Sequence, residues 1–204
     1  MEQEIITGNY YDKYNSGNPI VRQLMNGFFR DLHGLVEKCG KPENLHVLEA
    51  GCGEGHLAHV ISKTHKPASY TGFDIDEEII RQAQQANPEG NFHTGNIYDL
   101  NRYESQNYDL IIASEVLEHI HHPEDALKQL ASLNAGFYLF SVPREPIWRI
   151  LNLARLKYIP ALGNTPGHLQ HWSKQGFKKL ISGYFRIEAL KSPFPWSMIL
   201  ATPR

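Results

Sequence analysis

Between Glu115 and His122 the stretch ASEVLEHIHH sets two carboxylates and three imidazoles close together: Glu115, Glu118, His119, His121 and His122. Carboxylate oxygens and imidazole nitrogens are the usual ligands of divalent ions such as zinc. Imidazoles also titrate near neutral pH and serve as general bases. Further along, GHLQHW adds His168 and His171. A second chemistry-bearing stretch is LEAGCGEGH, in which Glu49 precedes Gly51, Gly53 and Gly55. Glycines at this spacing permit a tight turn and close approach of a ligand to the backbone, and a following helix offers N–H donors. The dinucleotide fingerprint would put a small residue at position 56, where this chain has His56.

Downstream, FDID places Asp74 where a carboxylate can accept hydrogen bonds from both hydroxyls of a ribose. Ile75 follows and offers an apolar face for an adenine ring. In TGNIYDL, Asn96 and Ile97 stand where an amide can read the exocyclic amine of adenine, and Asp99 is either a further contact or the cap of a short turn.

These residues need a frame. NPIVRQLMNGFFRDLHGLVEKCG predicts a helix capped by Asn18, started by Pro19 and ended by Gly40. From residue 45 short apolar runs alternate with helical ones. Strands are expected at 45–51, 69–75, 91–97, 108–116 and 135–143, and a closing antiparallel pair at FRIEALK and WSMILAT. Helices are expected at about 55–63, 76–87, 122–133 and 173–184, with Asp76 capping one and Pro123 starting another. The alternation predicts an α/β fold whose mostly parallel sheet is covered by helices on both faces. Such sheets bind ligands outside the carboxyl ends of their strands, where all the residues above fall.

The chain has 204 residues, 41% hydrophobic and 21% charged, with a net charge of −2, which fits one domain with one sizeable core. No global field draws it to nucleic acid or anionic lipid, although a local patch still can. Two cysteines, Cys39 and Cys52, make no metal-spaced pair and suit a reducing compartment. The first residues show no signal peptide and no apolar run is long enough to span a membrane, so a cytoplasmic protein is expected.

Taken in order, LEAGCGEG, FDID, GNIYDL and YDLIIASEVLEHI resemble the class I S-adenosylmethionine-dependent methyltransferases of small-molecule type, over roughly residues 45–143. The resemblance implies a Rossmann-like, seven-stranded sheet with the last strand antiparallel. It implies S-adenosylmethionine as cofactor and S-adenosylhomocysteine as product. Gly51, Gly53 and Gly55 would wrap the methionine portion and Glu49 would face its amino group. Asp74 would hold the ribose; Ile75, Asn96 and Ile97 would hold the adenine, although many members have Asp where this chain has Asn96. Ser114 and Glu115 would face the transferred methyl. The arm NYYDKY is similar to a tyrosine-containing arm that covers the cofactor, which makes Tyr11 a further contact.

For the acid and histidine cluster two uses stay open. In one, Glu118 and His119 form hydrogen bonds, with Glu115, His119 and His171 left to handle the acceptor and its proton. In the other, Glu115, Glu118, His119 and a histidine from beyond the fifth strand, His168 or His171, hold a divalent metal. A subset of the family, the small-RNA 3′-terminal ribose methyltransferases, carries such a metal. The first use is taken forward, with no metal assigned. The organisation expected is one domain, with arm and helix (1–40), cofactor-binding core (45–143), lid (144–172) and C-terminal helix and strand pair (173–204). The lid predicts a helix from Pro146, with Ile147, Ile150, Leu151, Ala154 and Tyr158 inward and Arg149, Arg155 and Lys157 as a basic rim. An apolar lid with a basic rim suits a lipophilic or aromatic small-molecule acceptor, methylated at oxygen, or contact with a membrane surface. RNA methylation, a non-catalytic cofactor-binding module and a nicotinamide oxidoreductase are the alternatives.

Overall fold

The computed structural model describes residues 17–204; the arm with Tyr11 lies outside them. The chain opens on helix α1 (Pro19–Val36), where the Asn18 side chain accepts the Ile20 N–H at 2.9 Å and proline takes the first turn. Strand and helix then alternate: β1 (His46–Ala50), α2 (His56–His65), β2 (Ser69–Asp74), α3 (Glu77–Ala86) and β3 (Asn91–Thr94). There follow β4 (Tyr108–Ser114), α4 (Pro123–Ser132), β5 (Ala135–Pro143), α5 (Ile147–Ala154), α6 (Lys174–Ser182), β6 (Arg186–Lys191) and β7 (Trp196–Thr202).

The seven strands form one sheet in the order β3-β2-β1-β4-β5-β7-β6. The five β3-to-β5 strands are parallel, and β7 runs antiparallel between β5 and β6. This is the Rossmann-like architecture expected. Side chains alternate along each strand, so each face builds its own core. Leu48, Ala50, Ile111 and Ala113 pack with Leu127 and Leu130 of α4 and Phe177 and Ile181 of α6. On the other face Val47, Leu110 and Ile112 pack with Phe28 and Leu32 of α1, Leu57 and Ile61 of α2, and Ile80 of α3. No helix of the described residues is long and apolar enough to cross a membrane.

Two strands end more than one residue earlier than their apolar runs suggest, and both differences shape the site. Strand β3 stops at Thr94, because Asn96 accepts the Tyr98 N–H with its own side chain at 3.0 Å and turns the chain back. Asn96 and Ile97 thus sit in the loop beyond the strand. Strand β4 stops at Ser114, because Glu115 takes a left-handed backbone conformation, φ 61°. Helix α2 runs two residues further than expected, to His65.

That extension brings His65 against α1, where its Nε2 lies 2.8 Å from Nδ1 of His33. Burial holds both imidazoles below their ordinary pKa; His65 adds to this at His33, and Glu37 opposes it at both. The unfolded chain takes up protons near 6.5, the folded pair only at lower pH. The pair's contribution is therefore fully present above that value and is lost as pH falls below it. Denaturant titrations at roughly pH 7.5 and pH 5 are expected to show a smaller loss of stability in His33→Gln than in the parent; equal losses would refute the assignment.

Candidate active site

The carboxyl ends of β1, β2 and β4 and the loop beyond β3 open on one cleft of about 400 Å³, the size of a small-molecule site. At β1 the Glu49 side chain is buried and accepts the Tyr70 hydroxyl at 2.8 Å. Burial pushes its carboxyl up to about 8; the Tyr70 bond works against this and Asp74 adds to it. A cation arriving beside Glu49 would reverse the shift.

The glycine loop follows. All three glycines have positive φ, and the loop is held to β2 by the Gly51 and Cys52 N–H groups, which donate to the Phe73 carbonyl at 2.8 and 3.0 Å. A Cβ on Gly51 would meet Val116 at 2.5 Å, whereas one on Gly53 would meet nothing within 4 Å. Asp74 accepts the Gly53 N–H at 3.0 Å through one carboxylate oxygen. It therefore anchors the loop as well as lining the cleft, a task its spacing did not disclose. Burial raises its pKa, with the bonds from Gly53, Asp76 and Ile75 opposing. Ile75, Asn96 and Ile97 line the same end, while Asp99 accepts the Asn101 amide at 2.7 Å and so serves a turn outside the cleft lining. Burial pushes the Cys52 thiol up, which leaves it a poor nucleophile.

At the tip of β4, Ser114 and Glu115 line the centre, with the Ser114 hydroxyl 2.8 Å from that of Ser141. The chain then makes a single tight turn (Leu117–His119) whose Glu118 is buried. The lid begins and ends at one point, where Glu145 N–H donates to the Trp172 carbonyl at 2.9 Å. Its returning segment is tied to the Leu117–His119 turn: Leu169 and Gln170 N–H groups donate to the Glu118 carbonyl at 2.7 and 3.0 Å. The His119 Nδ1 lies 3.0 Å from the Gly167 carbonyl. These contacts bring His168 beside His119, with ring centroids 4.9 Å apart. One ligand atom from each of Glu118, His119 and His168 lies within 4.8 Å of the others.

His171 is not brought there. It is exposed and bonds to Asn164 at 2.6 Å, because the two backbone bonds at Leu169 and Gln170 turn His168 inward and carry His171 past the cleft. Of the two lid histidines considered, the structure places only His168 with the cluster. His121 and His122 are exposed.

The lid helix presents a face rotated from the one its apolar stripe predicts. Leu151 and Tyr158 of the stripe do line the cleft, but Trp148, Asn152 and Arg155 line it with them, and Ile150 is exposed. Trp148 Nε1 and Asn152 Nδ2 both donate to the Thr165 hydroxyl, at 2.9 and 3.0 Å. Buried Asn152 also donates to the Gly163 carbonyl at 2.8 Å. Polar partners inside the lid thus decide which face turns in. Trp148 lies between Trp196 (5.7 Å) and His168 (6.1 Å), forming an aromatic wall at the end of the cleft away from Asp74. Trp196, together with Val21 and Leu24 of α1, was missed from sequence because nothing local in those stretches marks a site; only the sheet order brings them there.

A family model described as "Methyltransferase domain" matches residues 22–184. Among curated proteins the chain is 28% identical over 155 residues to a ubiquinone biosynthesis O-methyltransferase of Coxiella burnetii, covering 67% of this chain and 64% of that protein. The counterpart in Nitrosospira multiformis is 25% identical, covering 59% and 56%. The chain therefore spans less than two thirds of the length of these relatives. Among solved structures, a magnesium protoporphyrin IX methyltransferase from Synechocystis PCC 6803 with bound SAH superposes with a TM-score of 0.68, at 23% identity, over 94% of this chain and 91% of that one. The PH0226 protein from Pyrococcus horikoshii OT3 gives 0.69 at 18% identity, over 96% and 95%.

The two glycines separate folding from binding. Left-handed alanine costs ~1–2 kcal/mol, and overpacking against Val116 adds ~1–3 kcal/mol at Gly51 alone. Denaturant titration should find Gly51→Ala the less stable of the two, by at least ~1 kcal/mol; equal losses would refute this account of the loop.

Proposed function

Because this chain belongs to the class I S-adenosylmethionine-dependent methyltransferases, we propose that it methylates a hydroxyl oxygen of a small, largely apolar or aromatic acceptor. The observation that carries the proposal is one continuous cleft. It is lined at one end by Glu49, Asp74 and Asn96 and at the other by His119, Trp148 and His168. The O-methyltransferase relatives support oxygen as the acceptor atom.

The cofactor, when bound, supplies an electrophilic methyl group on a sulfonium. Glu49 takes the amino group of its methionine portion, which suits a carboxyl that a nearby cation returns to its charged form. The Gly51–Gly55 loop offers backbone to the same portion, Asp74 accepts from the ribose hydroxyls, and Ile75, Asn96 and Ile97 enclose the adenine. Ser114 and Glu115 stand between the two ends and Trp148 walls the acceptor. With Nδ1 of His119 donating to the Gly167 carbonyl, Nε2 carries the lone pair and accepts the acceptor's hydroxyl proton. Orientation does most of the remaining work, and the lid supplies it.

A second use of the cluster rests on the proximity of Glu118, His119 and His168. A buried carboxylate and two imidazoles are a donor set that fits a divalent ion, and the bond to the Gly167 carbonyl fixes the His119 ring so that its other nitrogen could face the ion. Such an ion would lower the hydroxyl's pKa in place of a base.

With labelled cofactor and a panel of phenols and catechols, His119→Ala should lose ~10²–10⁴-fold in kcat/KM and keep its affinity for S-adenosylhomocysteine. A parent enzyme indifferent to chelators assigns His119 as base; chelator loss restored by one divalent ion assigns the metal. An unchanged His119→Ala would refute both. Separately, binding of S-adenosylhomocysteine should strengthen as pH rises from roughly 6 to 8 and release a proton, since burial holds free Glu49 at about 8. Calorimetry of Glu49→Gln should show neither effect; a parent with no pH dependence would remove Glu49 from the amino-group site.

A further inference from the structure

Helix α5 and its C-terminal cap turn one stripe of side chains into the cleft: Trp148, Leu151, Asn152 and Arg155. Their spacing is that of neighbours on one helical face, and Arg155 stands about 10 Å along the axis from Trp148. The stripe ends in a guanidinium where the cleft meets solvent, since Arg155 is exposed. That guanidinium is held from behind. Its Nε donates to the Leu151 carbonyl at 3.2 Å and its Nη2 to Asn152 Oδ1 at 2.7 Å. Asn152 is buried, and its amide nitrogen is itself committed to Gly163 and Thr165. The Arg155 edge formed by Nη1 and Nη2 keeps its outer N–H donors, and that edge can take a carboxylate with two parallel bonds.

Among the described residues no acid pairs with Arg155: the ion pairs fall at Arg30, Arg81, Lys128 and Arg186. The lid itself offers none, because the chain has no Asp or Glu from Pro146 to Ile187. The turn after the helix adds two more groups to the same corner, since Lys157 and Tyr158 also line the cleft. The Lys157 N–H donates to the Asn152 carbonyl at 2.8 Å, which ties the turn to the residue that holds Arg155. Tyr158 has a left-handed backbone, φ 54°, where a bulky residue stays only if its surroundings impose it. Here the Ala161 and Gly163 N–H groups fix its carbonyl at 3.0 and 2.9 Å. The corner is thus built to carry these side chains.

We propose that Arg155, with Lys157 and Tyr158 next to it, binds a carboxylate carried by the acceptor. The proposal rests on the O-methylation reading above and narrows its substrate class to aromatic hydroxy acids. The aromatic body packs on Trp148 and the carboxylate reaches the corner after α5, which leaves the hydroxyl to face His119. Glu49 and Asp74 at the far end repel the same carboxylate, so charge fixes which way round the acceptor enters.

The test uses dihydroxyphenyl acids of increasing chain length, each beside its neutral primary amide, with the whole chain as enzyme. The parent should favour at least one acid over its amide by about tenfold or more in kcat/KM, mostly through KM. In Arg155→Gln that ratio should fall to about one. Arg155→Lys keeps the charge and loses the fork, and should retain part of the preference. All three proteins should bind S-adenosylhomocysteine equally. Equal use of acids and amides by the parent, or an unchanged ratio in Arg155→Gln, would overturn the subsite and leave the O-methylation reading standing. Weakened S-adenosylhomocysteine binding in Arg155→Gln would also overturn it, by assigning Arg155 to the cofactor's own carboxylate. Should no compound be methylated, the O-methylation reading fails separately, and tryptophan quenching in the S-adenosylhomocysteine complex decides the subsite. Acids that bind about tenfold tighter than amides, and lose this in Arg155→Gln, uphold it; acids that bind no tighter overturn it.

Discussion

The carbonyl of Glu118 accepts two backbone N–H groups from the lid, and the His119–His168 end of the cleft rests on that junction. A parallel strand that ends at the sheet edge leaves its following loop with unpaired backbone groups, which must find partners. Here the loop after β4 finds them in a segment that follows β5. The junction fixes Gly167 under His119 and His168 beside it. Without it the lid would be a helix tethered at its base, and the histidines of two distant stretches would not meet. The same bonds set the register by which His168 faces in and His171 faces out.

The cofactor half depends on a different economy of contacts. Asp74 holds the Gly53 N–H while its other oxygen is turned toward Asp76, so the residue that positions the glycine loop also lines the space the loop encloses. Glu49 is similar in kind: buried, held by Tyr70, and pushed toward its neutral form until a cation comes near. Two acids at one end and Arg155 and Lys157 at the lid end give the cleft a polarity along its length. That polarity suits a zwitterionic cofactor at the acid end better than a second anion there.

Much of this was legible in the residues. Periodicity and caps at Asn18, Asp76 and Pro123 disclosed the elements, because helix starts are local chemistry. The glycine loop, Asp74 and Asn96 were visible because backbone turns and strand tips impose residue types directly. The lid was harder. Its apolar stripe pointed Ile150 inward, yet Trp148 and Asn152 face the cleft, since both find Thr165, a residue far along the chain that the helix alone does not reveal. The choice between His168 and His171 likewise turned on backbone bonds to Glu118. Trp196 entered the site only because β7 inserts beside β5, a fact of sheet order and of no local pattern.

The rotation of the lid helix links these points. Amphipathicity assumes that a helix buries its apolar face against the core, but this helix has a cleft beneath it, lined by polar as well as apolar groups. Satisfying Trp148 and Asn152 on the inside turns Ile150 and Leu153 to the outside, and the left-handed turns at Leu156 and Leu162 extend that apolar surface. A polar interior therefore leaves an apolar exterior as its geometric consequence, on a stretch free of acidic residues. The hydrogen bonds that build the aromatic wall of the cleft and the surface that faces outward are two sides of one choice of helix rotation. Changing Thr165 would disturb both, because it accepts the two bonds that hold that rotation.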